Sequence, residues 1–112
     1  MTESELQMDE AAAILKILGH ESRLTILKLL EKKASCVCEF VELFQMSQPA
    51  ISQHLRKMKD LDLVEEERRG QWIYYSLNEA HESFDFIKDL LHLLPAQDHL
   101  IEQLKESRIS CD

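Results

Sequence analysis

The sequence predicts a mainly α domain that carries one small β-hairpin, and three observations predict it. Apolar residues recur at helical spacing over most of the 112 residues. Two short β-prone runs, Val64–Arg68 and Gln71–Leu77, are joined at Arg69 and Gly70, where glycine supplies the backbone freedom of a tight turn. Glycine and proline number two each, and Gly19, Pro49, Gly70 and Pro95 all fall where one periodic segment gives way to the next.

The elements follow in order. Met8–Leu18 is Ala-rich and apolar and ends at Gly19, a helix stop. From Glu21 to Lys33 the residues Leu24, Leu27 and Leu30, with Ile26 and Leu29 beside them, mark a mostly buried second helix. Ser35 or Cys36 can cap a short third helix whose Val37, Phe40, Val41 and Phe44 form one stripe. Gln45 and Met46 make the turn. Ser47 then caps a fourth helix, with Pro49 in its first turn, where a missing N–H costs nothing, and Ile51, Leu55 and Met58 on its inner face. Beyond the hairpin a fifth helix is predicted over Glu79–Leu94, with Phe84, Ile87, Leu91 and Leu94 on one stripe, and a sixth from about Ala96 to Ser107. There is no internal repeat.

Length and composition fit a single domain spanning 1–112, with 45% hydrophobic and 30% charged residues. The longest apolar stretches, around Ile14–Leu18 and Val37–Phe44, are interrupted well before the ~20 residues that cross a bilayer. Met1–Glu10 is acidic and lacks the basic start of a secretory signal, so cytoplasmic residence is expected. Three cysteines, Cys36, Cys38 and Cys111, are too few and too unevenly spaced for a disulfide scaffold. In a reducing compartment they are thiols able to hold metals. The net charge of -8 is unevenly placed. Residues 1–18 carry one base against four acids and residues 79–112 three against eight, which accounts for the whole excess. The balanced middle offers Arg56, Lys57, Lys59, Arg68 and Arg69 to phosphate while the acidic ends point away.

A short helix, a tight turn, a second helix with a polar face and then a hairpin is the order of a winged helix-turn-helix, here residues 36–62 with a wing at 63–77. Such a helix fits the major groove of double-stranded DNA, and its Gln and Arg side chains pair with base edges. The reading places Ser47, Gln48, Ser52, Gln53 and His54 near bases, and Arg56, Lys57, Arg68 and Arg69 near phosphates. The same geometry also serves protein contacts, so periodicity alone leaves open a winged helix that never touches DNA.

The run Ser47, Gln48, Pro49, Ala50, Ile51, Ser52, Gln53, His54, Leu55, Arg56, Lys57, Met58 is continued by Leu61, Leu63 and Val64, then by Gly70, Trp72, Tyr74, Tyr75 and Leu77. Together with Leu18, Gly19, His20, Glu21, Ser22, Arg23, Leu24 it strongly resembles the ArsR/SmtB family of metal-sensing repressors, over about residues 10 to 95. The resemblance implies a homodimer packed through the first and fifth helices (1–18 and 79–107). Each recognition helix would then occupy one half-site of an imperfectly palindromic operator.

Cys36, Val37, Cys38, Glu39 stands where arsenite- and antimonite-responsive members of that family, and also cadmium- and lead-responsive ones, carry a similar Cys-Val-Cys-acid sequence. Thiolates suit soft ions of either kind, and a helix N-terminus favours the thiolate form. The cadmium type adds cysteines from an N-terminal arm, and this arm has none, which favours As(III) and Sb(III) over Cd(II) and Pb(II) as inducer. Trivalent arsenic takes three sulfurs. The position of a third cysteine in some arsenic sensors is Val41 here, so Cys111 or a small external thiol would complete the set. Residues i and i+2 of a helix point to nearly opposite sides, so joint capture of one ion by Cys36 and Cys38 is expected to distort the third helix and with it the DNA-reading unit.

The resemblance also suggests a zinc site between the paired fifth helices, where His81 and His92, eleven residues apart, would share one helix face toward the partner. Glu79, His81 and His92 match three of its four ligand positions and Pro95 replaces the fourth, against the alternative of ordinary surface histidines. No nucleophile elbow, phosphate-binding glycine loop or paired-carboxylate motif is present, so the chain is not read as an enzyme and needs no cofactor to bind DNA. A remaining alternative is a repressor of the same fold whose cysteines respond to oxidants or reactive sulfur.

Overall fold

The computed structural model describes residues 6–107, with side chains described to residue 103. Cys111 lies outside the described residues. The order is α1 (Met8–Leu18), α2 (Glu21–Lys32), β1 (Ser35–Cys36), α3 (Val37–Phe44), α4 (Gln48–Asp60), β2 (Val64–Arg69), β3 (Trp72–Leu77), α5 (Phe84–His92) and α6 (Asp98–Ser107). The expected mainly helical fold with a hairpin is found, and the sheet has a third strand that the sequence reading missed.

Local chemistry explains most boundaries. His20 caps α2 by accepting the Ser22 N–H at Nδ1, 3.3 Å away. Ser47 caps α4 through its hydroxyl, which accepts the Ala50 N–H at 3.2 Å. The turn between α3 and α4 contains no glycine, and Gln45 itself takes the left-handed conformation at φ 55 that ends α3. Gly70 serves the hairpin tip at φ 64. Cys36 is extended, at φ -96 and ψ 165, and is the N-cap of α3 rather than a residue within it.

The sheet order is β1-β3-β2, antiparallel throughout. Two residues suffice for β1 because Ser35 faces Tyr75 and Cys36 faces Tyr74 on a strand already paired from Val64↔Leu77 to Arg69↔Trp72 on its other side. The core lies where α1, α2, α3, α4 and α5 meet the base of the sheet. Ile26, Leu27, Ile51, Leu55, Met58 and Leu91 are fully enclosed there, with Phe40, Val64 and Ile87 nearly so.

The fifth helix is shorter than predicted. Residues 79–83 form turns, in which the Ser83 N–H donates to His81 Nδ1 at 3.1 Å and the Ser83 hydroxyl lies 2.7 Å from the same nitrogen. Helix α5 begins only at Phe84. Lys28 joins it to α2 by donating to the Leu91 carbonyl at 3.0 Å, and Lys32 pairs with Asp98 of α6 at 3.9 Å.

Helix α4 is tied to the body by a side-chain clasp as well as by its core face. Arg23 of α2 donates from Nε to His54 Nδ1 at 3.1 Å and from a terminal nitrogen to the Ile17 carbonyl of α1 at 2.9 Å. The His20 and His54 rings meet edge to face with centroids 4.6 Å apart. One arginine therefore holds three helices. Burial lowers the His54 pKa below its ordinary 6.5, and the adjacent His20, Arg23 and Lys57 act in the same direction. The fold therefore favours the neutral ring, whose nitrogen can accept from Arg23.

Two outcomes follow. Leu55→Ala, at a fully enclosed position, is expected to cost roughly 2–5 kcal/mol in urea unfolding. The clasp contributes stability above pH 6.5, and that contribution is lost as pH falls through the depressed folded value, because the unfolded chain takes up the proton first. His54→Asn, which keeps an acceptor and removes the titration, should flatten this acid-side decline in melting temperature. An unchanged decline would show that His54 is not its source.

Candidate nucleic-acid interface and cysteine site

Three sides of α4 do different work. Ile51, Leu55 and Met58 enter the core. Gln48, Gln53, Arg56 and Lys57 are exposed, and Ser52 is half-buried toward the sheet. Ser47 is exposed with its hydroxyl engaged as the cap. His54, expected beside the bases, instead turns inward to Arg23 and His20. The spacing contains the reason: 51, 54, 55 and 58 form one i, i+3, i+4, i+7 stripe, so position 54 edges the buried face.

Arg68 and Arg69 are exposed near the wing tip, as expected. Arg68 donates to the Gly70 carbonyl at 3.4 Å. Arg69 pairs with Glu67 at 3.1 Å and lies 4.3 Å over the Tyr74 ring, so its guanidinium is stacked as well as ion-paired. Lys59, counted among the basic groups for phosphate, is taken up by Glu66 of the wing at 3.0 Å. The Tyr75 hydroxyl donates to the same carboxylate at 2.8 Å. That hydrogen bond, followed by Lys59, holds Glu66 below the usual carboxylate range. Tyr75, pushed up to about 12 first by burial and then by Glu66, stays a donor. Recognition helix and wing are thereby joined at the base.

At the other end of α4 lies the cysteine pair. Cys36 Sγ is 2.6 Å from Cys38 Sγ, so the two sulfurs are each other's partners. The expectation that residues i and i+2 diverge, and that joint capture of an ion must bend α3, is corrected by the extended backbone of Cys36. As a strand residue and N-cap it swings its sulfur onto the side of Cys38 while α3 stays regular. Glu39, 8% exposed, fixes this geometry. Its carboxylate accepts the Cys36 N–H at 2.9 Å through one oxygen and pairs with Lys33 at 3.2 Å through the other. Neither β1 nor this role of Glu39 was read from the sequence, although an acid three residues after a capping position is the sequence sign of such a reach-back.

Cys36 and Cys38 open onto a cleft of about 240 Å³ that they share with Gln48 and Ser52 of α4 and Trp72 and Tyr75 of β3. Trp72 and Tyr74 pack against the pair. A sulfur site, the start of the recognition helix and the wing therefore surround one space.

Within one chain Glu79, His81 and His92 are not brought together as a group. Glu79 and His81 lie in the turns before α5, so His81 and His92 do not share a helix face. His81 is held by Ser83, with Asp62 3.9 Å away, and His92 lies 3.7 Å from Glu31. Among the described residues no group of three or more His, Cys, Asp or Glu is arranged to hold a metal ion. No helix among them is long and apolar enough to cross a membrane.

Residues 20–66, from the cap of α2 through the helix-turn-helix into β2, match the family described as bacterial regulatory protein, arsR family. The chain is similar to an arsenical resistance operon repressor of Staphylococcus xylosus, 39% identical over 89 residues that make up 80% of this chain and 84% of that protein. Among solved structures it is similar to HlyU from Vibrio cholerae, with a TM-score of 0.69 and 31% identity over 80% of this chain and 96% of that one. It is also similar to the transcriptional repressor BigR from Xylella fastidiosa, with a TM-score of 0.66 and 29% identity over 77% and 84% of the two chains. The family and its named repressors regulate transcription rather than catalyse reactions. A helix-turn-helix followed by a wing, matched in sequence and in shape, places this chain in the arsR family of bacterial regulatory proteins, as a winged-helix transcriptional regulator of the ArsR/SmtB type.

Proposed function

We propose that the chain is a cytoplasmic repressor that binds operator DNA as a homodimer, releases it when As(III) or Sb(III) joins Cys36 to Cys38, and so derepresses a resistance operon. The observation that carries this reading is the convergence of two sulfurs beside the start of the recognition helix. Two adjacent soft donors fit a thiol-seeking ion. The arsenical resistance repressor among the relatives supports the choice of metalloid, while Cd(II), Pb(II) and Zn(II) are the ions to be compared.

Gln48, Ser52 and Gln53 read base edges, and Arg56, Lys57, Arg68 and Arg69 meet phosphates. Met8, Leu15 and Leu93, 86%, 50% and 83% exposed, provide the apolar surface through which α1 and the end of α5 pair with a second copy. Release follows from position rather than from helix strain. Capture at the cysteine pair turns the remaining ligand of the ion into the cleft that Gln48, Ser52 and the wing must present to the operator, so that ligand and DNA compete for one arrangement of side chains. The same sulfur contact favours a second reading, a redox switch in which a peroxide takes two electrons from the thiols, forming the Cys36–Cys38 disulfide and two waters.

Fluorescence anisotropy on operator DNA tests these readings. Arsenite should release the wild-type protein, and Cys36→Ser or Cys38→Ser should bind DNA but no longer let go. Release surviving in both variants sinks the sensor assignment. Peroxide-induced release that dithiothreitol reverses, with no response to arsenite, selects the redox reading. Arg68→Ala and Arg69→Ala should each reduce the slope of log affinity against log salt by about 1. Binding that is indifferent to salt would instead favour a protein partner.

A further inference from the structure

We propose that the cleft beside the cysteine pair is a binding site for a low-molecular-weight thiol, which supplies the third sulfur to the captured arsenic and whose body blocks the recognition helix. The proposal rests on the arsenite reading above and names what that reading leaves open. Among the described residues the cysteines are Cys36 and Cys38, whose paired sulfurs become thiols on reduction, and both line this space. Its volume of about 240 Å³ falls below the roughly 300–1,000 Å³ typical of drug-sized ligand sites, which suits a cysteine- or short-peptide-sized molecule. Its walls are of two kinds. Trp72 and Tyr75 offer aromatic faces, whereas Gln48, Ser52 and Gln71 offer amide and hydroxyl groups to a ligand bearing amines and carboxylates.

The chemistry balances without a redox step. Arsenous acid, with three hydroxyls on arsenic, exchanges them for the sulfurs of Cys36, Cys38 and the small thiol. Three As–O bonds are replaced by three As–S bonds, and the three thiol protons leave with the hydroxyls as three waters. Arsenic remains trivalent throughout. The third sulfur then projects into the cleft, and its organic body lies against Gln48 and Ser52, two side chains assigned to the bases. Small thiol and operator therefore exclude one another. Metalloid capture by the pair alone leaves this space largely open and releases DNA poorly.

The test uses the full chain carrying Cys111→Ser, reduced with a phosphine so that no thiol is introduced unasked. Operator release by arsenite is followed with and without glutathione or cysteine, and the adducts are weighed by native mass spectrometry. The proposal expects the half-releasing arsenite concentration to fall by about tenfold or more with the thiol present, equivalent to ~1.4 kcal/mol, together with a mass for protein, arsenic and one thiol. Equal release without thiol, or a mass for protein and arsenic alone in its presence, overturns it. Gln71→Trp, which crowds the cleft from the wing, should abolish the thiol effect while the protein–arsenic mass persists; an undiminished thiol effect in this variant places the thiol elsewhere and overturns the site. Phenylarsine oxide, whose phenyl group already occupies the third position, should bind the pair with no thiol. Its failure to bind, or arsenite release surviving Cys36→Ser and Cys38→Ser, defeats the sensor reading itself. Phenylarsine binding without a thiol effect on arsenite defeats only the present inference.

Discussion

The pairing of Ser35 and Cys36 with Tyr75 and Tyr74 is the constraint on which the regulator's arrangement depends. It is only two residues long, yet it fixes the backbone of Cys36 in an extended conformation at the point where α3 begins. Strand geometry sends that side chain where a helix would not, and the sulfur meets Cys38. The same pairing stitches the start of the helix-turn-helix to the central strand of the sheet, so the cysteines and the wing share a backbone ladder. Glu39 closes the corner from the helix side by holding the Cys36 N–H, and Lys33 balances its charge.

Most of the fold is visible in the sequence because its signals are local and strong. Ser47 with Pro49 announces the start of α4, the enclosed Leu27, Leu30, Ile51, Leu55 and Met58 recur at helical spacing, and Gly70 marks the hairpin tip. The departures have physical causes. Two residues, Ser35 and Cys36, carry no period, so β1 exists only because β3 offers an open edge. The helical pattern from Glu79 onward looks continuous, but Asn78, His81 and Ser83 spend their side chains on turn hydrogen bonds and postpone α5 to Phe84. That delay takes Glu79 and His81 off the helix that carries His92. His54 was legible as a polar residue of the recognition helix, whereas its contacts with Arg23 and His20 depend on packing between segments about thirty residues apart.

Charge placement reconciles an acidic chain with a polyanionic partner. Within the wing, Glu65, Glu66 and Glu67 precede Arg68 and Arg69, so even the arm that reaches for DNA is locally mixed. Glu66 and Glu67 are occupied by Lys59, Tyr75 and Arg69. Their charge is spent on orienting groups within the protein rather than opposing phosphate at the tip, while Arg56 and Lys57 remain exposed on the outer surface of α4. The result is a reading surface whose net charge matters less than the direction in which each charge faces.

The link of Lys59 to Glu66 and Tyr75 has a mechanical consequence. The Glu66 carboxylate is held low and the Tyr75 phenol high, and the Lys59 ammonium pairs with the carboxylate. The contact of α4 with α2, by contrast, includes the His54 imidazole, whose pKa burial holds below its ordinary value and whose protonation in acid removes the acceptor for Arg23. The molecule thus has a weld near the C-terminal end of α4 and an acid-sensitive clasp at its middle. Acid that opens the clasp leaves the weld in place, as it does the enclosed Ile51, Leu55 and Met58, so the mutual spacing of helix and wing is the last feature to change.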